Sequence, residues 1–71
     1  MEPTADLMAG LTTRERDVVR LLAQGLTDAE IAEQMVVSVR TVNAHLRSIY
    51  GKLDVVSRTA AVRAAHERGL A

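Results

Sequence analysis

The sequence contains no cysteine, no phenylalanine and no tryptophan, and its only aromatic residue is Tyr50. Without cysteine the chain can form neither a disulfide nor a thiolate metal site, which is compatible with a reducing compartment. With one aromatic residue, the hydrophobic core must be built from aliphatic side chains. About half of the residues (48%) are apolar, so the composition is that of a folded chain. At 71 residues, we expect one small domain with one thin core.

Long apolar runs and targeting signals are also missing. No apolar run approaches the roughly 20 residues that span a bilayer, and the N-terminal segment lacks the basic and apolar regions of a signal peptide. We therefore expect a cytoplasmic protein with no membrane association. Residues 1–10, with Pro3 and Gly10, are expected to form a tail or linker, and residues 11–71 the domain.

The residue types that carry enzymatic chemistry are scarce. There is no glycine-rich phosphate loop, no pair of acids at an apolar cleft and no credible set of metal ligands. The sequence therefore predicts that the protein is not an enzyme. We expect no catalytic residue, no metal, no cofactor and no small-molecule ligand in this domain.

The formal net charge is zero, with nine basic and nine acidic residues, which at first argues against a nucleic-acid partner. The charges are, however, separated along the chain. Residues 1–38 carry three arginines and seven acids, whereas residues 39–63 carry five basic residues and one acid, Asp54. This separation gives one part of the surface a positive potential although the sum vanishes. Small helical domains also acquire lopsided charge by chance.

Helix start signals occur four times, and no strand pattern occurs. Thr12 followed by Glu15 is a capping box, in which the threonine hydroxyl accepts from one unpaired backbone N–H and the carboxylate accepts from another. The other start signals are Thr27 with Glu30, Ser38, and Ser57.

Helix stop signals match these starts. Gly25 and Gly69 each follow a helical segment and are expected to adopt left-handed caps. The sequence therefore predicts an all-α fold of four helices, over 12–24, 28–35, 39–53 and 58–68.

Only Val36, Val37 and Ser38 separate the second helix from the third. Two short helices joined by about three residues form a helix-turn-helix, a unit that can place its second helix in the major groove of DNA. We expect the apolar residues of the turn to point inward and to fix the angle between the helices.

The third helix has one apolar face, formed by Val42, Leu46, Ile49 and Leu53. At about 100° per residue, its opposite side is formed by Arg40, Ala44, Arg47 and Gly51, with Asn43 on one flank and Lys52 on the other. Arginine can bridge the O6/N7 edge of guanine, asparagine can pair with adenine, and alanine can contact a thymine methyl group. We therefore predict that Arg40, Asn43, Ala44 and Arg47 face DNA bases. An exposed helix face also carries charges for solubility alone, and that alternative stays open for the strip by itself.

The segment LTTRERDVVRLLAQGLTDAEIAEQMVVSVRTVNAHLRSIYGKLDVVSRTAAV closely resembles the DNA-binding domain of the LuxR/NarL (GerE-like) family of bacterial transcription regulators. The resemblance extends from residue 11 to about residue 70 and joins LTTRE, GLTDAEIA, TVNAHL, KL, SR and AV at the expected separations. It implies that the third helix is the recognition helix and that the fourth often forms a dimer contact. The family commonly has lysine where this chain has Asn43, whereas Arg47 fits the family pattern.

The resemblance also suggests contacts to double-stranded DNA outside the bases. The residues that fit phosphate contacts are Ser38, Thr41 and Lys52. Thr27 can face the DNA backbone as well, although its capping role accounts for it fully.

The last helix is rich in small residues, which allow two helices to approach closely. A two-fold pair of such helices brings two recognition helices about one DNA turn, roughly 34 Å, apart. We predict a weak homodimer with contacts from Ala60, Ala61, Arg63 and Ala64. The alternative is that this helix docks only on its own core.

Three functions stay in competition. The first is the DNA-binding output domain of a transcription regulator, with RNA polymerase as a further partner. The second is a promoter-binding domain like the fourth region of a sigma factor, which has a similar LTxRER…EIA pattern. The third is a helical protein-interaction module without a DNA role.

Single polar residues near the apolar faces have simpler explanations than chemistry. A buried carboxylate needs partners, and for Glu15 either the capping box or a pair with a basic residue such as Arg58 supplies one. We expect His45 to be a structural histidine at the edge of the core and His66 to lie at the surface or an interface. Tyr50 is expected to border the core and serve in packing.

Overall fold

The structure is a computed structural model, and it describes residues 10–67 and residue 69. These residues form four α-helices and contain no strand. The helices are α1 (Thr13–Ala23), α2 (Asp28–Met35), α3 (Val39–Leu53) and α4 (Arg58–Glu67). The predicted all-α fold with four helices is confirmed, with each described boundary within one residue of the expectation. The tail predicted over residues 1–10 lies outside the described residues except for Gly10, and the predicted last helical residue, 68, lies outside them too. None of the described helices is long and apolar enough to cross a membrane.

Every described helix begins at a capping hydroxyl. At α1 the Thr12 hydroxyl accepts from the Glu15 amide at 3.1 Å, and the Glu15 carboxylate accepts from the Thr12 amide at 2.9 Å. Thr27 and Glu30 repeat the capping box at α2 with distances of 3.2 and 2.8 Å. Both predicted boxes are thus confirmed, and they satisfy donors that have no partner within a helix. Ser38 caps α3 and Ser57 caps α4.

The core is aliphatic, as the composition requires. Each helix contributes one buried stripe, and α4 contributes only alanines, which let it lie close to α1. The α3 stripe predicted from its spacing is confirmed, since all four of its members are buried. The fully or nearly fully buried apolar residues are Leu11, Val18, Val19, Leu22, Ile31, Ala32, Met35, Val42, Leu46, Ile49, Leu53, Ala61, Ala64 and Ala65.

Three helices end in the same way. One residue has left-handed backbone, and the next amide N–H donates to the carbonyl five residues earlier. After α1 the left-handed residue is Gly25, with φ of 93°, as predicted, and Gly69 is also left-handed with φ of 72°. After α2 and α3 it is Val36 and Asp54, each with φ of 58°. The closing bonds run from Leu26 N to Leu21 O, from Val37 N to Ala32 O and from Val55 N to Tyr50 O, at 3.3, 3.0 and 2.9 Å. These bonds are those of the Schellman motif, which satisfies carbonyls at a helix end.

The turn between α2 and α3 has the predicted three residues, Val36–Ser38, but its packing differs from the expectation. The side chain of Val36 does not point inward, since the residue is 88% exposed. Its left-handed backbone turns the chain away from the α2 axis and leaves the side chain in solvent. Only Val37 packs against the core. The angle between α2 and α3 therefore depends on Val37 and on the backbone of Val36.

The backbone of Val36 is strained, which gives a stability prediction. Left-handed backbone costs an L-residue about 1–2 kcal/mol, and a β-branched residue adopts it rarely, whereas asparagine tolerates it. Because the Val36 side chain is exposed, Val36→Asn loses little packing and should raise the free energy of unfolding by about 1 kcal/mol. Chemical denaturation measures this. Val56→Asn is the matched control, because Val56 is 96% exposed and has no positive φ. An equal effect of both substitutions would contradict the strain argument.

Candidate nucleic-acid interface

Helix α3 has one face in the core and one in solvent. Val42 and Ile49 have no exposed surface, and Leu46 and Leu53 keep only a few per cent. The opposite side is exposed at Arg40, Asn43, Ala44 and Arg47, and we call these four residues the α3 strip. The structure therefore brings the four residues predicted to face DNA bases together on one surface.

The α3 strip is rich in hydrogen-bond donors and carries little bulk. Among the described residues, neither Arg40 nor Arg47 has an ion-pair partner, so both guanidiniums can bind an external group. Each guanidinium presents a planar fork of donors that matches a phosphate or a guanine edge, and the Asn43 amide both donates and accepts. Along the same side, a Cβ added at Gly51 would meet nothing within 4 Å. A large planar or anionic partner can therefore approach this side of the helix closely.

On one flank of the α3 strip an ion pair joins the buried Glu15 of α1 to the partly exposed Lys52 of α3. The Lys52 ammonium donates to Glu15 Oε1 at 2.7 Å, and the Glu15 side chain is only 5% exposed. Burial by itself raises the pKa of Glu15. Hydrogen bonds from the Lys52 ammonium, the Ser48 side chain and the Thr12 amide, together with the positive charge of Lys52, outweigh burial and lower this pKa to about 2.

This arrangement decides two expectations about single residues. Glu15 has the predicted capping role, and its basic partner is Lys52 of α3, whereas Arg58 is bound to Asp28 and to the Leu26 carbonyl. Lys52, expected to contact phosphate, already has one ammonium donor on Glu15, and its side chain is 37% exposed. Its position is therefore set by the protein interior.

The other flank of the α3 strip adjoins a contact between α4 and the start of α2. Arg58, the first residue of α4, donates to the Asp28 carboxylate and to the carbonyl of Leu26. Asp28 and Arg58 border a groove of about 230 Å³ next to the α3 strip. The groove is lined by Asp28, Asn43, Leu46, Arg47, Tyr50 and Arg58.

The hydroxyls expected to contact phosphate are at the surface, and each also has a structural role. The Thr27 hydroxyl accepts a hydrogen bond from the Glu30 amide, and the Ser38 hydroxyl accepts one from the Thr41 amide. The hydroxyls of Ser38 and Thr41 also share a 3.0 Å hydrogen bond. A hydroxyl that accepts a hydrogen bond keeps its own O–H for donation. Thr27 and one member of the Ser38–Thr41 pair therefore retain a donor for an anion.

The residues predicted as dimer contacts do not lie on one surface. Ala61 is 1% exposed and Ala64 is 7% exposed, because these small side chains form the seat of α4 on the core. Neither is available to a second copy of the chain in this fold. Ala60 is half-buried and Arg63 is exposed. Only these two of the four are accessible from outside.

The remaining polar and aromatic residues lie where the sequence predicted. His45 is half-buried and Tyr50 packs partly against the core, whereas His66 is exposed. Within the described residues, no group of three or more His, Cys, Asp or Glu side chains is arranged to hold a metal ion.

Comparison with known proteins identifies the fold family. The sequence profile described as "Bacterial regulatory proteins, luxR family" matches residues 9–65, which is most of the chain. The chain belongs to this family. The resemblance seen in the sequence is thereby confirmed, and with it the helix-turn-helix formed by α2 and α3.

The relatives of this LuxR-family domain are transcriptional regulators. An HTH-type transcriptional regulator of Mycobacterium tuberculosis is 49% identical over 59 residues, which cover 83% of this chain and 7% of that protein. The transcriptional regulatory protein LiaR of Bacillus subtilis is 42% identical over 60 residues, covering 84% of this chain and 28% of LiaR. The response regulator protein VraR of Staphylococcus aureus is 37% identical over 70 residues, covering 99% of this chain and 34% of VraR. The chain therefore spans about a third or less of the length of these relatives.

The Glu15–Lys52 pair gives a prediction for acid stability. Because the pKa of Glu15 is about 2 in the folded protein and 4.5 as its ordinary value, the unfolded chain binds more protons between these values. The stability that the carboxylate contributes is fully present above pH 4.5 and is lost as pH falls towards 2. Glu15→Gln should therefore lower the free energy of unfolding at pH 7 by about 1–3 kcal/mol and by much less near pH 2. Denaturation at several pH values measures both.

A double-mutant cycle separates the ion pair from the cap. Lys52→Met leaves a buried carboxylate without its cation and should destabilise the fold more than Glu15→Gln with Lys52→Met does. Additive effects of the two substitutions would contradict the coupling inferred from the 2.7 Å contact.

Proposed function

We propose that this domain binds double-stranded DNA in a sequence-specific manner, as the DNA-binding output domain of a transcription regulator. In this proposal α3 lies in the major groove. The main support is the α3 strip, which combines an amide, a small residue and two arginines that have no ion-pair partner among the described residues, on a helix whose other face is buried. A B-DNA major groove admits one α-helix, and a rigidly packed helix presents such groups with the precision that base recognition needs.

The α3 strip supplies base recognition in this proposal. Arg47 and Arg40 donate to guanine edges or to phosphates, Asn43 pairs with an adenine edge, and Ala44 contacts a thymine methyl group. The small size of Ala44 lets the helix backbone approach the bases. Asn43 stands where the family commonly has lysine, so the helix has one cation fewer and gains an amide that can pair with adenine.

Residues beside the α3 strip supply contacts that position the domain. Thr27 and one member of the Ser38–Thr41 pair retain a hydroxyl donor for phosphate oxygens, as described above. Lys52 adds a partly exposed ammonium on the α1 side, where its remaining N–H groups can reach a phosphate. Such contacts fix register and orientation and carry little sequence information.

Self-association of the domain is proposed through the outer side of α4. Ala60 and Arg63 are the accessible members of the predicted contact set, so we expect a weak homodimer. Binding of RNA polymerase is a further proposal for the protein that contains this domain. We also propose that this protein is located in the cytoplasm, because a DNA-binding regulator needs access to the chromosome.

The family match favours the regulator over the sigma-factor alternative, because the matching profile is that of luxR-type regulatory proteins. Titration of a labelled duplex at low salt discriminates the DNA-binding function from a protein-interaction module. The former requires saturable binding that weakens steeply as salt rises, because phosphate neutralisation releases counterions. Absence of binding at low salt would refute the proposal.

Arg47→Ala tests the charge of the α3 strip. Removal of one phosphate or base contact should weaken binding by about 1–3 kcal/mol and, if the contact is to phosphate, should reduce the slope of log K against log salt by about one. Arg20→Ala is the control, because Arg20 pairs with Asp17 on the exposed side of α1 and lies outside the α3 strip. A larger loss for Arg20→Ala than for Arg47→Ala would place the DNA surface elsewhere.

Asn43→Ala tests base recognition. Selection of bound sequences from a random duplex pool should recover a defined half-site for the wild-type chain. The Asn43→Ala variant should lose preference at one position of that half-site while keeping the salt dependence, because an amide carries no charge. Identical recovered sequences for both proteins would exclude Asn43 from base contact.

A further inference from the structure

We propose that Arg58 is a positioning residue of the DNA interface, which neutralises Asp28 beside the α3 strip and holds the start of α2 against α4. The proposal rests on the proposed DNA-binding function. It assigns to Arg58 an effect on DNA affinity without a contact to DNA.

The geometry of Arg58 joins three segments of the chain. Its Nη1 donates to Asp28 Oδ1, 30 residues away, and its Nη2 donates to the Leu26 carbonyl, 32 residues away. The fork of a guanidinium suits two acceptors at once, and the point charge of a lysine does not. Arg58 thereby fixes the first residue of α2 and the loop before it relative to the first residue of α4.

The pair also lies next to the residues proposed to recognise bases. Asp28 and Arg58 line the same groove as Asn43 and Arg47. The side chains of Asp28 and Arg58 are 34% and 40% exposed, so solvent and a bound polyanion both sense their charges. Ion pairs with this exposure add little to stability, whereas their charges act directly on a bound polyanion.

The consequence for DNA follows from the sign of the charges. A carboxylate at the edge of the interface repels phosphates, and repulsion between like charges weakens association. While Arg58 is bound to Asp28, the pair has no net charge and this repulsion is absent. If Arg58 is removed, Asp28 presents an uncompensated negative charge next to Arg47.

The experiment measures affinity for the duplex recovered by selection, with three variants of the whole 71-residue chain. Arg58→Met should weaken binding about three- to tenfold at low salt, and this loss should shrink as added salt screens the Asp28 charge. Addition of Asp28→Asn to Arg58→Met should restore most of the affinity. Asp28→Asn alone should bind as tightly as the wild type or more tightly, because it leaves Arg58 without an opposing charge. Thermal unfolding of each variant is measured alongside.

Two results would overturn the proposal. If the double variant binds as weakly as Arg58→Met, then the Asp28 charge is not the cause of the loss, and Arg58 acts through a DNA contact or through its bond to the Leu26 carbonyl. If Asp28→Asn alone weakens binding, then the Asp28 carboxylate is needed at the interface. The latter comparison remains decisive even when Arg58→Met does not fold, because Asp28→Asn keeps the bond from Arg58 to Leu26.

Arg20 and Asp17 provide the matched control. They also form an arginine–aspartate pair, at 3.4 Å on the exposed side of α1 and outside the groove. Arg20→Met and Asp17→Asn make the same changes in formal charge and should alter affinity less than about twofold. If the Arg20 and Asp17 variants change affinity as much as the Arg58 and Asp28 variants do, then the effect comes from the net charge of the chain alone, and the proposal is overturned. A wild-type chain that binds no duplex at low salt refutes the proposed function, whereas a binding wild type with a weakened Asp28→Asn variant refutes only the role of Arg58.

Discussion

The buried carboxylate of Glu15 is the constraint on which the placement of α3 depends. It caps α1 through the Thr12 amide and accepts from Lys52 near the end of α3, so one oxygen connects the start of the first helix to the third. A buried charge is costly unless it is paired and hydrogen-bonded, and Lys52 is the residue that meets this requirement. Because α3 cannot slide or rotate far without breaking the pair, the direction of the α3 strip is tied to α1.

The α3 strip lies between two carboxylates, and each of them has a cationic partner on another helix. Glu15 pairs with Lys52 on one flank, and Asp28 pairs with Arg58 on the other. Both acids occupy the first turn of a helix, where negative charge is favourable, but both would oppose a polyanion if they were left alone. The two pairs allow acidic helix starts to border a positive surface. Because the two ion pairs neutralise these acids, a chain with zero net charge can still have a positive surface at the α3 strip.

Much of the fold could be predicted because its signals are local. Capping boxes, glycine caps and the spacing of Val42, Leu46 and Ile49 depend on neighbours within a few residues, and these features fix where helices begin, end and turn. The inward turn expected for Val36 was wrong, because no local signal requires left-handed backbone at a valine. For Glu15 the sequence offered the capping box or a pair with a basic residue, with Arg58 as the example; the structure has the cap and a pair with Lys52. A carboxylate on an apolar face predicts that a cation lies near, but Lys52 and Arg58 are both cations and residue spacing does not say which of them reaches Glu15.

The sequence by itself determined four helices, the three-residue turn and the exposed side of α3, since helical periodicity converts residue spacing directly into direction. Only the tertiary structure decided which groups meet across 30 or more residues. The packing of α4 on α1 buries Ala61 and Ala64 and leaves Ala60 and Arg63 accessible, although all four looked equivalent as small or exposed positions. The way the helices cross likewise decides that Lys52 pairs with Glu15 and that Arg58 pairs with Asp28. These contacts depend on the angles at which the helices pack. The side chains of the whole core set those angles together, so no single segment of the sequence determines them.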